Sequence, residues 1–146
     1  MTAAMEQADR STTLPARLDQ MARLGALVRG WVARCAPSDQ ELASRLELAT
    51  HEIATNIVRH AYAGTPGIIE VELSCSPTEL LVTMRDHGRP FDASGVSAPE
   101  PETPRVGGYG LYLADRLVDE VRYERRSNTN EWRLLCRLST PTRQES

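Results

Sequence analysis

Apolar side chains return at helical intervals early in the chain: Leu18, Met21, Leu24, Val28, Trp31, Val32 and Cys35 share one stripe. The spacing predicts an amphipathic helix that ends before Pro37 and is weakened by Gly25 and Gly30. A second, stronger helix is predicted over residues 38–62. Ser38-Asp39-Gln40-Glu41 has the form of a capping box, and Leu42, Leu46, Ala49, Ile53 and Ile57 make the inward stripe. Ala63-Gly64-Thr65-Pro66-Gly67 stops it. The period then falls to two: Ile69, Val71 and Leu73 alternate with Glu70 and Glu72, as in a strand with one buried face. Ser76-Pro77-Thr78 turns the chain into an antiparallel partner over residues 80–85. Leu111, Leu113, Ala114, Leu117 and Val118 predict a short helix, followed by strands over 121–125 and 132–138 joined tightly through residues 127–130.

Residues 1–10 carry no pattern and read as a flexible tail; residues 11–14 predict a short strand stopped by Pro15. The expected fold class is α+β: a two-layer sandwich with a mainly antiparallel mixed sheet and helices on one face. The expected domain spans residues 11–139, with a C-terminal tail over 140–146.

A chain of 146 residues suits one domain with a real core. Hydrophobic residues at 40% and charged residues at 25% are the balance of a folded, soluble protein. A net charge of -3 supplies no basic footprint, so direct nucleic-acid binding is not expected. No apolar run is long enough to span a bilayer, and the acidic start of the chain does not resemble a secretion signal. The expected location is the cytoplasm, away from membranes. Cys35, Cys75 and Cys136 are odd in number and form no CxxC pair, so three reduced thiols are expected. The chain contains no lysine. This excludes a Walker P-loop, the strand lysine of eukaryotic-type protein kinases, and Schiff-base chemistry.

Chemistry concentrates in three stretches. On the second helix Glu52, Asn56 and His60 follow one another at four-residue steps. A lone asparagine there is more often a surface residue. With Glu52 and the downstream glycines we read Asn56 as a Mg²⁺ ligand, and Glu52 as a carboxylate able to take a hydroxyl proton beside a terminal phosphate. Asp86 ends a strand before Gly88; taken alone it caps a turn, but beside the other stretches it reads as a buried acceptor for the adenine amino group. Gly88 then removes a side chain where a base lies close. Gly107, Gly108 and Gly110 either form a hinge or expose N–H groups to phosphate at a helix start. Arg105 is the nearest cation in sequence, equally readable as solvated or as a phosphate contact. Residues 93–106, with Pro99, Pro101 and Pro104, predict a lid. His51-Glu52 fails as a zinc-protease motif because Thr55 stands where a second histidine is needed, and His51 is expected to be structural.

The three stretches together resemble the Bergerat-fold, or GHKL, ATPases. Residues 46–62, LELATHEIATNIVRHAY, and 106–123, VGGYGLYLADRLVDEVRY, are similar to the small anti-sigma factor serine kinases of bacterial stress and sporulation control. The resemblance covers nearly the whole chain. It implies ATP and Mg²⁺ as cofactors, Glu52 as catalytic base, Asn56 as metal ligand and Asp86 as adenine reader, with Gly88, Gly108 and Gly110 lining the nucleotide. Tyr109 between the glycines and the basic His87-Gly88-Arg89 depart from the usual pattern. The resemblance further implies a homodimer that sequesters a sigma factor and phosphorylates a serine of a STAS-domain antagonist. An alternative is a nucleotide-gated binding module without phosphoryl transfer. A third reading, a detached histidine-kinase catalytic domain, is disfavoured because no dimerisation hairpin is expected upstream.

Overall fold

The two periodicities meet in a sheet covered on one side by helices. The computed structural model describes residues 8–91 and 108–138. Strand β1 (Ala8–Pro15) leads through a 3-10 turn (Leu18–Gln20) into α1 (Met21–Cys35). Helix α2 (Gln40–Asn56) continues as a π-helical turn (Ile57–Ala61). Strands β2 (Ile68–Cys75) and β3 (Glu79–Asp86) follow, then α3 (Gly108–Leu117), β4 (Glu120–Arg126) and β5 (Thr129–Arg137). The five strands lie in the order β1-β2-β3-β5-β4, and every neighbouring pair is antiparallel.

Alternation sends Ile69, Val71 and Leu73 of β2, Leu80, Val82 and Met84 of β3, and Trp132, Leu134 and Cys136 of β5 to one face, where all are buried. The predicted stripes of α1 and α2 close over them, with Leu24, Val28, Trp31, Leu46, Ala49 and Ile53 almost fully excluded from water. Each buried aliphatic side chain contributes about 1.5–3 kcal/mol against leaving it exposed. The opposite face stays polar. There Arg85 on β3 bonds Glu72 at 3.0 Å and Glu131 at 2.8 Å, across the neighbouring strands on either side.

Several local features differ from expectation. Strand β1 begins at Ala8 rather than Ser11, because its backbone pairs with β2 although its side chains carry no apolar alternation. Asp39, not Ser38, caps α2: its carboxylate accepts the N–H of Leu42 at 2.9 Å. The long helix ends where Ala63 and Gly64 enter the left-handed region, at φ of 52° and 86°. The cysteine expectation is corrected for two of the three. Cys35 and Cys75 form a disulfide between the ends of α1 and β2, with Cα atoms 6.5 Å apart. A sequence separation of 40 residues gives no hint of that meeting; the packing of α1 over β2 creates it. Cys136 is free and buried, and burial pushes its thiol up to about 11.

Candidate functional site

Asp86 follows Leu80, Val82 and Met84 on the inward parity of β3, so the carboxylate is carried to the end of the apolar face and is fully buried. Directly across the ladder, Asn130 follows the inward parity of β5 and is also buried. Asp86 Oδ1 accepts the N–H of Gly88 at 2.8 Å and the amide of Asn130 at 2.8 Å. Among the described residues Asp86 Oδ2 has no hydrogen-bond partner. Burial pushes the carboxyl above its ordinary value; the two hydrogen bonds and the charges of His87 and Arg125 pull it back down. A buried acceptor without a donor is costly in the free protein and suits a ligand that brings an N–H.

Glu52 and Asn56 lie one turn apart on α2. Glu52 is half-buried and makes no ion pair or hydrogen bond among the described residues, while Asn56 is buried, with its amide likewise unengaged. The π-helical turn starts immediately after Asn56. Its wider winding breaks the four-residue stripe, so His60 is exposed and leaves the line of Glu52 and Asn56. His51 is exposed too, with the Thr55 hydroxyl 3.5 Å from its Nε2. It borders a groove between the two helices with Leu18, Met21, Gly25, Glu47 and Leu48. Among the described residues no cluster of three or more His, Cys, Asp or Glu forms a metal centre. A metal at Asn56 would therefore draw its remaining oxygens from phosphate or water.

The π-helical turn is tied to the loop after β3. A Cβ on Gly88 would stand 2.4 Å from the Ala61 carbonyl oxygen, so the missing side chain makes room for this backbone. The N–H of Arg89 donates to that same carbonyl at 2.8 Å, and the Arg89 guanidinium donates to the His60 carbonyl at 2.9 Å. The Tyr62 hydroxyl donates to the Ile68 carbonyl at 2.7 Å and accepts the N–H of His87 at 2.9 Å. Glu52 and Asn56 thus sit on an element braced against the Asp86 loop.

Sequence reasoning missed Asn130, Tyr62, Tyr123 and Arg125. The sequence pattern places Asn130 in a turn, but it sits two residues before Trp132, and a polar residue in phase with Trp132, Leu134 and Cys136 is the available signal. Tyr123 and Arg125 converge on its amide oxygen, and Phe91 packs edge to face against both Tyr123 and Trp132. Gly108 and Gly110 fall in the first turn of α3, which packs against α2. Arg105, Gly107 and the expected lid over 93–106 lie outside the described residues. Among the described residues no helix is long and apolar enough to cross a membrane.

Residues 14–135 match the family described as the histidine kinase-like ATPase domain. The chain is 32% identical over 118 residues to the serine-protein kinase RsbW of Listeria innocua serovar 6a, covering 75% of this chain and 74% of that one. It is 35% identical over 88 residues to the RsbW of Bacillus licheniformis, covering 54% and 55% respectively. Among solved structures, it superposes on the crystal structure of the RsbU and RsbW domains of Rv1364c from Mycobacterium tuberculosis with a TM-score of 0.62 at 21% identity. That match covers 94% of this chain and only 35% of the larger one, and it speaks to the fold alone. On the strength of the family match and of the relative in Listeria innocua, the chain belongs to the histidine kinase-like ATPase domain family and, within it, to the serine-protein kinases of the RsbW type.

Proposed function

We propose that this protein is a cytoplasmic, ATP-dependent protein-serine kinase and anti-sigma factor, acting as a homodimer that sequesters a sigma factor and phosphorylates a STAS-domain antagonist on serine. The observation that carries the reading is Asp86 Oδ2, a buried acceptor at the end of the sheet with no donor among the described residues. Such an atom fits an exocyclic amine, which adenine has and guanine lacks at the corresponding position. Asn56 would hold Mg²⁺ together with the phosphates, and the ion would neutralise charge developing on them. Gly107, Gly108 and Gly110 would approach the phosphates with backbone N–H groups, and Arg105 would add a cation.

Glu52 accepts the proton as the serine oxygen bonds to the γ-phosphorus and the bond to the ADP oxygen breaks. Its freedom from other partners among the described residues supports this role over a structural ion pair. The phosphoserine gains roughly 1.5–2 negative charges, enough to expel the antagonist from a closely fitted interface lacking a cation for it. The purified protein would be incubated with radiolabelled ATP, Mg²⁺ and a STAS-domain antagonist from its own cells. Label appearing as phosphoserine on the antagonist is the expected result. ATP binding without any labelling would instead establish the nucleotide-gated binding module.

A further inference from the structure

We infer that Asn130 is a positioning residue of the base site, its amide locked by Tyr123 and Arg125 so that Asp86 presents one predetermined oxygen to its ligand. The inference rests on the adenine reading of Asp86 for its functional consequence, though the lock itself can be tested without nucleotide.

An asparagine amide has an acceptor end and a donor end, and only the donor end is compatible with a neighbouring carboxylate. Two groups on β4 decide which end faces Asp86. The Arg125 guanidinium, which can only donate, lies 2.9 Å from Asn130 Oδ1. The Tyr123 hydroxyl lies 2.5 Å from the same oxygen; it already accepts the N–H of Phe91 at 2.8 Å, so its own proton goes to Asn130. Both donors therefore hold the amide oxygen away from Asp86.

The amide nitrogen then faces three acceptors, Asp86 Oδ1 at 2.8 Å, the Arg89 carbonyl at 2.9 Å and, more distantly, the Gly88 carbonyl at 3.4 Å. With the Gly88 N–H as well, Asp86 Oδ1 is saturated and the carboxylate cannot turn without breaking two bonds. Oδ2 is left as the acceptor that meets the ligand. The charged and titratable groups around Asp86 are His87 beside it, Arg125 on β4 and Arg89 in the following loop, with the phenols of Tyr62 and Tyr123 near the same loop. The consequence is selectivity. An ionised carboxylate with one fixed free oxygen accepts from an amine and repels a carbonyl oxygen, and a carboxylate free to rotate or to take up a proton discriminates less.

Asn130→Ala and Tyr123→Phe would be compared with the native protein in two measurements. The first is the titration of the Asp86 carboxyl by carbon-13 NMR without nucleotide. The Asn130 bond favours the ionised form, so its loss moves the Asp86 midpoint to higher pH in Asn130→Ala, and by less, in the same direction, in Tyr123→Phe. The second is calorimetry with ATP and GTP across the acid pH range. In Asn130→Ala, ATP affinity falls about tenfold, as for one lost hydrogen bond to a charged group; the acid-side loss of binding begins at higher pH, and the preference for ATP over GTP narrows.

A folded Asn130→Ala protein with the native Asp86 titration and the native ATP preference overturns the inference. Should that variant not fold, Tyr123→Phe with an unmoved Asp86 titration overturns it equally. Asp86→Ala separates the two ideas: native ATP affinity there defeats the adenine reading, while the nucleotide-free titration of Asn130→Ala still decides the lock.

Discussion

Gly88 packs against Ala61 so closely that a Cβ on the glycine would stand 2.4 Å from the Ala61 carbonyl oxygen and 2.5 Å from its carbonyl carbon. The contact joins the loop after Asp86 to the π-helical turn that follows Asn56, and thereby fixes two parts of the site relative to each other. Gly88→Ala must push backbone against backbone. It is expected to lower stability by about 1–3 kcal/mol, the usual cost of overpacking, and to weaken ATP binding by separating the two elements. Thermal unfolding with and without ATP measures both; an unchanged melting temperature would remove the contact from the account.

Asp86 carries a conflict between stability and binding. Its folded-state pKa lies above its unfolded value because of burial, so the ionised form is penalised in the fold. For an acid shifted upward, stability is highest below the unfolded pKa and falls as pH rises through the folded pKa. Asp86→Asn keeps an amide oxygen for Gly88 and Asn130 and removes the buried charge. At neutral pH the nucleotide-free variant should therefore melt higher, by about 2–4 °C for each kcal/mol regained. The gain should vanish in acid, below the ordinary carboxylate range. ATP affinity should fall roughly ten- to a hundredfold, the worth of a charge-assisted hydrogen bond. Calorimetry and melting curves on one preparation test the exchange.

Asn56 is buried on α2 with an amide that no described residue engages. Asn56→Ala should abolish most of the gain in ATP affinity that Mg²⁺ provides, while leaving metal-free ATP binding nearly unchanged. Titrations in Mg²⁺ and in chelator give the comparison. A variant that still responds to Mg²⁺ like the native protein would place the metal elsewhere.

Glu52→Gln retains size and hydrogen bonding but not basicity. Phosphoryl transfer should slow by roughly 10²–10⁴, with ATP affinity little changed. Held by this variant, the sigma factor should remain open to disruption by an antagonist that stays unphosphorylated even with ATP present. Full-rate serine phosphorylation by Glu52→Gln would end the assignment of Glu52 as base.

The Cys35–Cys75 disulfide closes a loop spanning α2 and much of the site's framework. Reduction, or Cys35→Ser, should lower stability by about 2–4 kcal/mol, the common range for such a loop. Thiol labelling of the unfolded, unreduced chain should find Cys136 alone, and reduction should expose all three. Three reactive thiols before reduction would rule the bridge out of the solution state.

What the sequence determined by itself is what local periodicity reports. A helix or strand declares which side is buried through the spacing of its own apolar residues, so the stripes of α1 and α2 and the alternation of β2 and β3 were legible, as was the grouping of Glu52 with Asn56 on one helix. Asp86 was legible as well, through its place at a strand end before Gly88. The tertiary structure alone decided what depends on register between distant segments. The pairing of Asp86 with Asn130 needs β3 and β5 to align across 44 residues of sequence. The π-helical winding that takes His60 away from Asn56 likewise coincides with the brace from Gly88 and Arg89. Hydrogen bonds and disulfides between such segments leave no periodic trace, because each is one contact fixed by the packing of everything between its ends.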